Sequence, residues 1–361
     1  MLVWLTALLA SSRLGELEFR SVGPGDAHEL HALLAQNYIT STDGALQTVY
    51  PARTIRWILR SPGSERELHL GMSERGSREL VGFVCATPAP LRLRGEAHPR
   101  DAVEVTLLSV RRGCRGHGIA RRLLAELRAR GARCGVQCAI YTGAERRGEP
   151  LLTTACYHRP LRVRHLLRRG FWELPRGATC ADVEAATPPL PRAPRALRLR
   201  RLRPRDAAAC RELLCVCATE ADLGAWPSLE QFRHRYLDVP AVCSLLLPAS
   251  RPGAPARAFV SFALQPVRTP HARPVIQAVL LGLAVAPGES VHWVLAEALA
   301  AARARGAHVF NALPLGELTP RVLAALGFGE GDGSVHLYVE GGGGGAGKTL
   351  DPRRVGWIPL L

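Results

Sequence analysis

The sequence predicts an α/β (α+β) fold made of two pseudo-symmetric units, and three observations predict it. Segments rich in β-branched residues alternate with amphipathic helical segments, the same order of segments occurs twice, and 361 residues suit two domains of common size. With 47% hydrophobic and 22% charged residues, the chain is too apolar to be disordered and too often interrupted by charge to be a polytopic membrane protein.

Each copy opens with a strand, a turn and a helix. The first begins LEFRSVGPGDA at Leu17, and the second begins LRLRRLRPRDA at Leu197, an offset of 180 residues. In both, an alternating segment ends at a proline whose fixed φ suits a turn, and the aspartate two residues later is placed to cap a helix. The helices predicted to follow are HELHALLAQNY and ACRELLCVCAT.

The middle of each copy predicts two core strands, an amphipathic helix and a short strand, because β-branched residues favour strands and a 3.6-residue apolar period favours a helix. A glycine stands near the expected end of each helix, Gly131 in the first copy and Gly306 in the second. The matching segments are 80–88 with 257–266, 103–110 with 275–285, 123–133 with 294–308, and the short strands around Ala139 and Phe310.

A proline-rich stretch separates the two copies. Residues 185–195 contain too much proline for a helix or a strand, and such composition is typical of an extended linker. We therefore predict an N-terminal extension at 1–13, a first half at 14–184, the linker at 185–195 and a second half at 196–361.

The strong positive charge does not indicate a nucleic-acid partner. Basic residues number 47 and acidic residues 31, which gives a net charge of +16. Nearly all the cations are arginine, Lys348 being the only lysine, and they are spread from Arg13 to Arg354 with only 6% aromatic residues. A nucleic-acid surface gathers its charge into a stripe with interleaved aromatics, so we expect no nucleic-acid partner.

Cysteine and histidine usage indicates a reducing compartment and no metal. The ten cysteines include no CxxC pair, and the twelve histidines show no ligand spacing. No run of 18 apolar residues is present, and the start MLVWLTALLA lacks the charged region of a signal peptide. We expect a cytoplasmic protein without stable membrane insertion.

One segment has the pattern of a phosphate-binding loop. Between a core strand and the helix that begins near Ile119 stands RRGCRGHGIARR, whose glycines let a ligand approach the backbone. Free N–H groups at a helix N-terminus attract a pyrophosphate, and flanking arginines add charge. The second copy reads APGESVHW at this place and lacks the loop. The predicted binding residues are Arg111, Arg112, Arg115, Gly116, His117, Gly118, Ile119 and Ala120.

The spacing Arg115-x-x-Gly118-x-Ala120, after a strand and before an apolar helix, resembles the coenzyme A signature of the GNAT acyltransferase superfamily. Because only one copy carries it, the resemblance implies one half with an acyl-CoA site and one half that keeps the scaffold for another task.

Several separated segments resemble the glycylpeptide N-tetradecanoyltransferase (N-myristoyltransferase) family, whose fold is two GNAT-like halves. The likeness runs from about Leu14 to the last residue. Against the first family signature, E-[IV]-N-F-L-C-x-H-K, the residues Glu104, Val105 and Leu108 fit, while Thr106, Leu107, Ser109, Arg111 and Arg112 are substitutions. The second signature, K-F-G-x-G-D-G, is present at 327–333 as GFGEGDG. Further matches are Asn37, Tyr38, Asp43 and Tyr50, the pairs Tyr141-Thr142 and His158-Arg159, VFNAL at 309–313 and the ending RVGWIPLL.

This resemblance implies transfer of a myristoyl group from myristoyl-CoA, the acyl donor co-substrate, to the α-amine of an N-terminal glycine, with no permanently bound cofactor. It implies that the carboxylate of the terminal residue, Leu361, is the base, that the backbone N–H groups of Leu107 and Leu108 hold the oxyanion, and that Thr142 orients the amine. Thr106 replaces the family's asparagine. The implied peptide-binding residues are Tyr38, Asp43, Tyr50, His158, Ser261, Asn311, Gly331 and Asp332.

The same resemblance implies that the second half completes the peptide groove and that the protein is a monomer whose partners are acyl-CoA and glycine-starting peptides or proteins. Two alternatives stay open. One is a GNAT-type acyltransferase with another acyl donor or amine acceptor, which the altered peptide groove favours. The other is an inactive protein that binds acyl-CoA or lipopeptides, which Thr106 and a tail one residue longer than the family's favour.

Overall fold

The structure is a computed structural model that describes residues 16–38, 46–77, 79–237, 239, 241–249, 251, 254–271, 273–341 and 349–358. The predicted extension at 1–13, and two predicted site residues, Asp43 and Leu361, lie outside the described residues.

Within the described ranges the chain forms fifteen strands and nine helices. The strands are β1 (Leu17–Ser21), β2 (Gln47–Thr48), β3 (His69–Glu74), β4 (Leu80–Pro88), β5 (Leu91–Leu93), β6 (Ala102–Val110), β7 (Cys138–Gly143), β8 (Leu152–Pro160), β9 (Arg200–Arg201), β10 (Leu223–Ala225), β11 (Val242–Leu247), β12 (Ala258–Arg268), β13 (Val275–Val285), β14 (Val309–Ala312) and β15 (Gly329–Gly341). The helices are α1 (Ala27–Asn37), α2 (Ala52–Ile58), α3 (Ile119–Arg133), α4 (Val163–Arg168), α5 (Cys180–Ala186), α6 (Ala207–Glu220), α7 (Leu229–Tyr236), α8 (Val291–Ala304) and α9 (Pro320–Ala325).

One compact unit comprises residues 1–88 and 105–136. In it β3 pairs antiparallel with both β1 and β4. The first eight residues of β4 are all buried, as expected for a strand covered on both faces. Helix α3 lies on this strand because Gly82 has no side chain: a Cβ there would stand 3.0 Å from Ile119 and Leu123. Close approach of α3 positions the loop at its N-terminus.

The other compact unit comprises residues 89–104 and 137–361. Its strands follow the order β6, β7, β15, β8, β14, β13, β12, β11, β9. The β6–β7 and β13–β14 pairs are parallel, and the remaining neighbours are antiparallel. The core contains the rings of Phe262, Phe310 and Phe328 in edge-to-face contact, packed with the buried face of α8. These apolar contacts give the sheet a rigid backing.

The repeat predicted from the sequence extends to individual contacts. Arg20 and Arg200, 180 residues apart, form ion pairs with Asp26 and Asp206 respectively. One detail of the prediction is wrong: neither aspartate caps the following helix with its side chain. Each instead accepts the backbone N–H of the residue three positions earlier, at 2.7 and 3.0 Å, because each aspartate is the third residue of a short 3-10 turn that begins at the proline.

The boundaries of the two compact units differ from the boundaries of the predicted halves. The reason is that β7 and β8 of the first copy pair with β15 and β14 of the second. The predicted boundaries at 14–184 and 196–361 therefore stay a prediction. Helix α5 continues to Ala186, two residues into the predicted linker. From Thr187 to Pro194 no helix or strand forms.

The expected helix end at Gly131 is wrong. Gly131 lies inside α3, and the turn after the helix is made by Gly135, whose φ is +76° and whose N–H donates to Ala132 O. A left-handed backbone conformation costs glycine little energy, which is why glycine often ends helices. In the second copy Gly306, with φ +91°, has this position as expected.

No helix in the described part of the chain has the length and hydropathy that a bilayer span requires.

We predict that the stability of the fold is sensitive to acid because of His69. Its side chain is 2% exposed, and this burial lowers the pKa of His69 from 6.5 to about 4. The unfolded chain therefore binds more protons than the folded chain between pH 6.5 and 4, and stability falls as the pH falls through that window. Between pH 7 and 5 the expected loss is about 2 kcal/mol in the free energy of unfolding. Urea unfolding of a His69→Phe variant should show a smaller loss.

The matched control for this prediction is His28→Gln, at an exposed position on α1, which should keep the wild-type pH dependence. Equal pH dependence in the wild-type protein and the His69→Phe variant would contradict the assignment.

Candidate functional site

The loop between β6 and α3 has the geometry of an anion cradle. Gly116 and Gly118 adopt φ of +83° and +73°, and a Cβ at either would meet no atom within 4 Å. Among the described residues, none accepts a hydrogen bond from the N–H groups of Gly116, Gly118, Ile119 or Ala120. Since α3 has 15 residues, its dipole reinforces these donors. The loop is thus open, exposed and rich in unused donors.

The four arginines around the loop have different surroundings. Arg111 pairs with Glu79 at 2.6 Å and donates to Leu80 O, and Arg115 donates to the carbonyl oxygens of Val110 and Asn37. In the described ranges, the exposed guanidinium groups of Arg112 and Arg121 have no ion-pair or hydrogen-bond partner. Arg111 and Arg115 shape the loop, which leaves Arg112 and Arg121 able to meet a ligand.

Strand β6 contains a local distortion at its predicted catalytic residues. Leu107 has φ +57° and is the one residue other than glycine in the described part of the chain with a left-handed backbone. Such a conformation costs a branched residue roughly 1–2 kcal/mol. The Leu107 side chain is buried at 1% exposure, and Thr106 O accepts the Cys85 thiol at 3.7 Å. This change in backbone direction lies at Leu107. The resemblance implies that the N–H groups of Leu107 and Leu108 hold the oxyanion.

Tyr38 and Tyr50 lie in the same unit and contact each other. Their rings meet edge to face at 5.5 Å between centroids, and His31 Nδ1 lies 2.7 Å from Tyr50 O. These contacts fix the ends of the segment that carries Asp43, which lies outside the described residues.

The other unit brings two predicted peptide-binding residues together in a chain of polar side chains across four strands. His158 Nδ1 on β8 lies 2.9 Å from Asn311 Oδ1 on β14. Asn311 Nδ2 donates to Gln277 Oε1 on β13 at 2.8 Å, and Gln277 Nε2 donates to Gln265 Oε1 on β12 at 3.1 Å. An amide oxygen only accepts, so His158 carries a proton on Nδ1.

Gly331 and Asp332 belong to a bulge of β15 against β8. The register passes from Glu330 opposite Tyr157 to Ser334 opposite Ala155, so 331–333 stand opposite a single residue. A Cβ at Gly331 would lie 2.4 Å from His158 Nε2. The bare backbone therefore approaches the imidazole closely, while Asp332 is exposed. Glu330 accepts the Tyr157 hydroxyl at 2.8 Å, which raises the pKa of Tyr157.

Ser261 and Thr142 lie apart from that polar chain. Ser261 is fully buried on β12, its hydroxyl 2.8 Å from that of Ser244, which donates to Tyr236 O. Thr142 is exposed on β7, opposite Leu337. Their predicted roles stay predictions.

The described part of the C-terminal tail is buried and held by the backbone. Val355 and Ile358 have 0% exposure. Gly356 donates to Leu223 O at 2.7 Å, and Ala225 donates to Trp357 O at 2.9 Å. The tail is thus anchored on β10 up to Ile358, and Leu361 lies beyond the described residues.

Comparison with known proteins shows what the chain is similar to. A family model for "Myristoyl-CoA:protein N-myristoyltransferase, N-terminal domain" matches residues 15–156. Glycylpeptide N-tetradecanoyltransferase 2 of Bos taurus is 28% identical over 313 residues, and the Drosophila melanogaster enzyme is 27% identical over 317. A crystal structure of Saccharomyces cerevisiae N-myristoyltransferase with bound myristoyl-CoA matches with a TM-score of 0.82 at 23% identity, over 96% of this chain and 85% of the yeast chain. The chain is therefore similar to N-myristoyltransferases in sequence and in fold.

The predicted N-myristoyltransferase-type fold is therefore confirmed. The aligned regions cover 86% of this chain and 62% of the cattle N-myristoyltransferase, and 87% of this chain and 66% of the fly protein. For the Candida albicans N-myristoyltransferase, 29% identical over 206 residues, they cover 57% of this chain and 46% of the relative. The chain thus spans about half to two thirds of the length of these N-myristoyltransferases.

Asn37 organises the loop between β6 and α3, a role the sequence analysis missed. Its side chain is buried at 5% exposure, and Oδ1 accepts the N–H of Arg112 at 2.8 Å. Its backbone oxygen accepts the Arg115 guanidinium at 2.6 Å. The only signal in the sequence was the match of the Asn37-Tyr38 pair to the family, since the partners are 75 and 78 residues away.

Proposed function

We propose that this chain transfers a myristoyl group from myristoyl-CoA to the α-amine of an N-terminal glycine in peptides or proteins. The observation that carries the proposal is the open loop at the N-terminus of α3, in a chain whose family model names myristoyl-CoA. We further propose a cytoplasmic monomer.

For the acyl donor, we assign binding of the CoA phosphates to residues 111–120. The N–H groups of Gly116, Gly118, Ile119 and Ala120 supply hydrogen bonds, and the positive φ of the two glycines opens the backbone to the ligand. Arg112 and Arg121 add exposed positive charge. Arg111 and Arg115 hold the loop through Glu79 and the carbonyls of Leu80, Val110 and Asn37. His117 Nδ1 lies 3.0 Å from Arg115 O.

The transfer step needs a base, an oxyanion site and a positioned amine. We assign the base to the terminal carboxylate of Leu361, which takes a proton from the glycine ammonium, whose ordinary pKa is about 8. The amine nitrogen attacks the thioester carbonyl, the C–N bond forms, and the C–S bond breaks. CoA leaves as a thiolate, which takes up the second proton that the nitrogen loses as the amide forms.

Backbone N–H groups of Leu107 and Leu108 are assigned to the oxyanion, because preorganised donors are worth about 3–4 kcal/mol each in such sites. The left-handed Leu107 supports this assignment, since a strand residue keeps such strain where the surroundings impose it. Thr142 is assigned to orient the amine. Thr106, at 9% exposure, stands where the family has asparagine.

The acceptor half is assigned to Tyr38, Asp43, Tyr50, His158, Ser261, Asn311, Gly331 and Asp332. Support comes from the contact between His158 and Asn311 and from the approach of Gly331 to the imidazole. A histidine held at Nδ1 by Asn311 presents a fixed Nε2, which suits recognition of a polar group on a peptide.

The test incubates the purified protein with myristoyl-CoA and peptides that differ only in their first residue, glycine, alanine or N-acetylglycine. Mass spectrometry should find the acyl group on the α-nitrogen of the glycine peptide alone. Acylation of the alanine peptide, of lysine side chains, or from acetyl-CoA in preference would instead support another acyltransferase. Binding of myristoyl-CoA without turnover would support the inactive alternative.

Removing the two exposed loop arginines should weaken CoA binding. We expect Arg112→Gln and Arg121→Gln each to raise the CoA Kd by about tenfold, the worth of one charge-assisted phosphate contact. Calorimetric titration with CoA measures the change. Arg321→Gln, at an exposed position on α9, is the control for lost positive charge. If all three variants bind CoA as the wild-type does, the phosphates lie elsewhere.

A further inference from the structure

A cavity of about 520 Å³ lies in the unit that contains α4. Its walls come from the end of β8, helix α4, residues 187–190 and the last turn of α8. Arg159, Arg162, Arg164 and Arg303 line it, and Glu184 is the one acidic residue among the lining residues. Four guanidinium groups against one carboxylate leave the lining with a charge of +3.

Arg159 is the unusual member of this set. Its side chain is buried at 1% exposure, and Nη2 donates to Pro188 O. In the described part of the chain, its Nε and Nη1 have no hydrogen-bond partner and it forms no ion pair. Both atoms lie against Gly327, where a Cβ would be 3.2 Å away. A buried charge without a counter-charge is costly, and burial together with the nearby Arg303 lowers the pKa of this guanidinium.

The other arginines do not relieve that charge. Arg164 uses Glu184 in an ion pair at 2.6 Å. Arg162 Nη2 donates to the backbone oxygen of Arg303, near the C-terminus of α8, at 3.0 Å. The Nε atom of Arg162 is buried and has no hydrogen-bond partner among the described residues. The exposed side chain of Arg303 forms no ion pair within the described residues. Three guanidinium groups around one cavity thus lack an anion.

We infer that this cavity binds a phosphate-bearing polyanion, with Arg162 and Arg303 in contact with it and Arg159 as the buried charge that it neutralises. Guanidinium groups match phosphate oxygens in pairs of hydrogen bonds, and the cavity is large enough for several phosphate groups. The cavity shares no lining residue with the residues assigned to acyl transfer. Because Arg159 follows His158 on β8, an occupant would also stiffen the strand that holds this imidazole.

The experiment titrates inorganic tripolyphosphate into protein carrying Arg112→Gln and Arg121→Gln, so that the loop at α3 does not contribute. Calorimetry should show saturable binding. Adding Arg162→Gln and Arg303→Gln should raise the Kd at least about tenfold, the loss of one or more charge-assisted contacts, whereas adding Arg321→Gln should leave it unchanged. No saturable binding, or a Kd that the cavity substitutions do not alter, would overturn the inference.

A second variant tests the buried charge. Arg159→Met should have a Tm without anion equal to or above the wild-type value, because replacing an uncompensated buried charge by an apolar side chain is often stabilising. In protein that also carries Arg112→Gln and Arg121→Gln, the rise in Tm that tripolyphosphate causes should be lost when Arg159→Met is added. A retained rise would contradict the role of Arg159, and if the variant does not fold, the Arg303→Gln titration decides.

The phosphate groups could belong to a free anion or to a lipid headgroup, and vesicles distinguish the two sources. If a lipid headgroup is the occupant, the protein should bind vesicles of phosphatidylcholine with phosphatidylinositol bisphosphate. Arg162→Gln and Arg303→Gln should then abolish this vesicle binding. Binding of tripolyphosphate alone assigns the cavity to a free polyanion.

Discussion

Adding Gly-Ser-Gly after Leu361 is expected to lower kcat for glycine-peptide myristoylation by about 100- to 10,000-fold, the usual contribution of a general base. Three added residues move the terminal carboxylate by up to about 10 Å. The anchored part of the tail should stay in place, because Val355 and Ile358 are buried and β10 holds Gly356 and Trp357 by backbone hydrogen bonds. Steady-state kinetics with saturating myristoyl-CoA measures the change.

The controls separate loss of the carboxylate from loss of the fold. Leu361→Ala changes the last side chain but keeps the terminal carboxylate where it is, and it should retain most of the activity. CoA affinity and Tm of the extended protein should equal those of the wild-type. An extended protein with wild-type kcat would rule out the terminal carboxylate as the base.

Replacing Arg235 by Met is expected to lower the free energy of unfolding by about 3–5 kcal/mol, the cost of breaking a buried ion pair from one side. Arg235 on α7 lies 3.2 Å from Glu104 at the start of β6, and the two side chains are 17% and 4% exposed. Without the guanidinium, the Glu104 carboxylate keeps its desolvation cost and loses this ion pair. Urea unfolding measures the difference.

A second substitution tests whether the effect comes from the Glu104 carboxylate that has lost its ion pair with Arg235. Glu104→Gln in the Arg235→Met background should recover part of the lost stability, because the amide has no net charge to bury. Arg75→Met breaks the exposed pair with Glu16, in which the side chains are 68% and 70% exposed, and it should cost less than about 1 kcal/mol. A similar small loss for Arg235→Met would contradict the account.

The elements that could be predicted from the sequence are those set by local patterns. The strands at 80–88 and 103–110 and the helix from Ile119 follow from apolar periodicity, and the structure places them at Leu80–Pro88, Ala102–Val110 and Ile119–Arg133. The repeat at an offset of 180 residues is visible because Arg20 and Arg200 serve the same turn. Periodicity is a local property, so it survives divergence of the remaining sequence.

The parts that could not be predicted depend on distant partners. Nothing near Arg112 shows that Asn37 accepts its N–H, and nothing near Leu107 shows a positive φ. Gly131 matched the pattern of a helix end, yet tertiary packing let α3 continue to Arg133 and Gly135 made the turn. The loop motif likewise predicted Arg111, Arg112 and Arg115 as ligand-binding residues without distinction, whereas Glu79 and backbone carbonyls engage Arg111 and Arg115.

A crystal structure of the protein with a non-hydrolysable thioether analogue of myristoyl-CoA would locate the CoA phosphates. We expect the CoA pyrophosphate on the N–H groups of Gly116, Gly118, Ile119 and Ala120, with Arg112 and Arg121 beside it. Pyrophosphate bound elsewhere, or at the corresponding turn of the second copy before α8, would contradict the account.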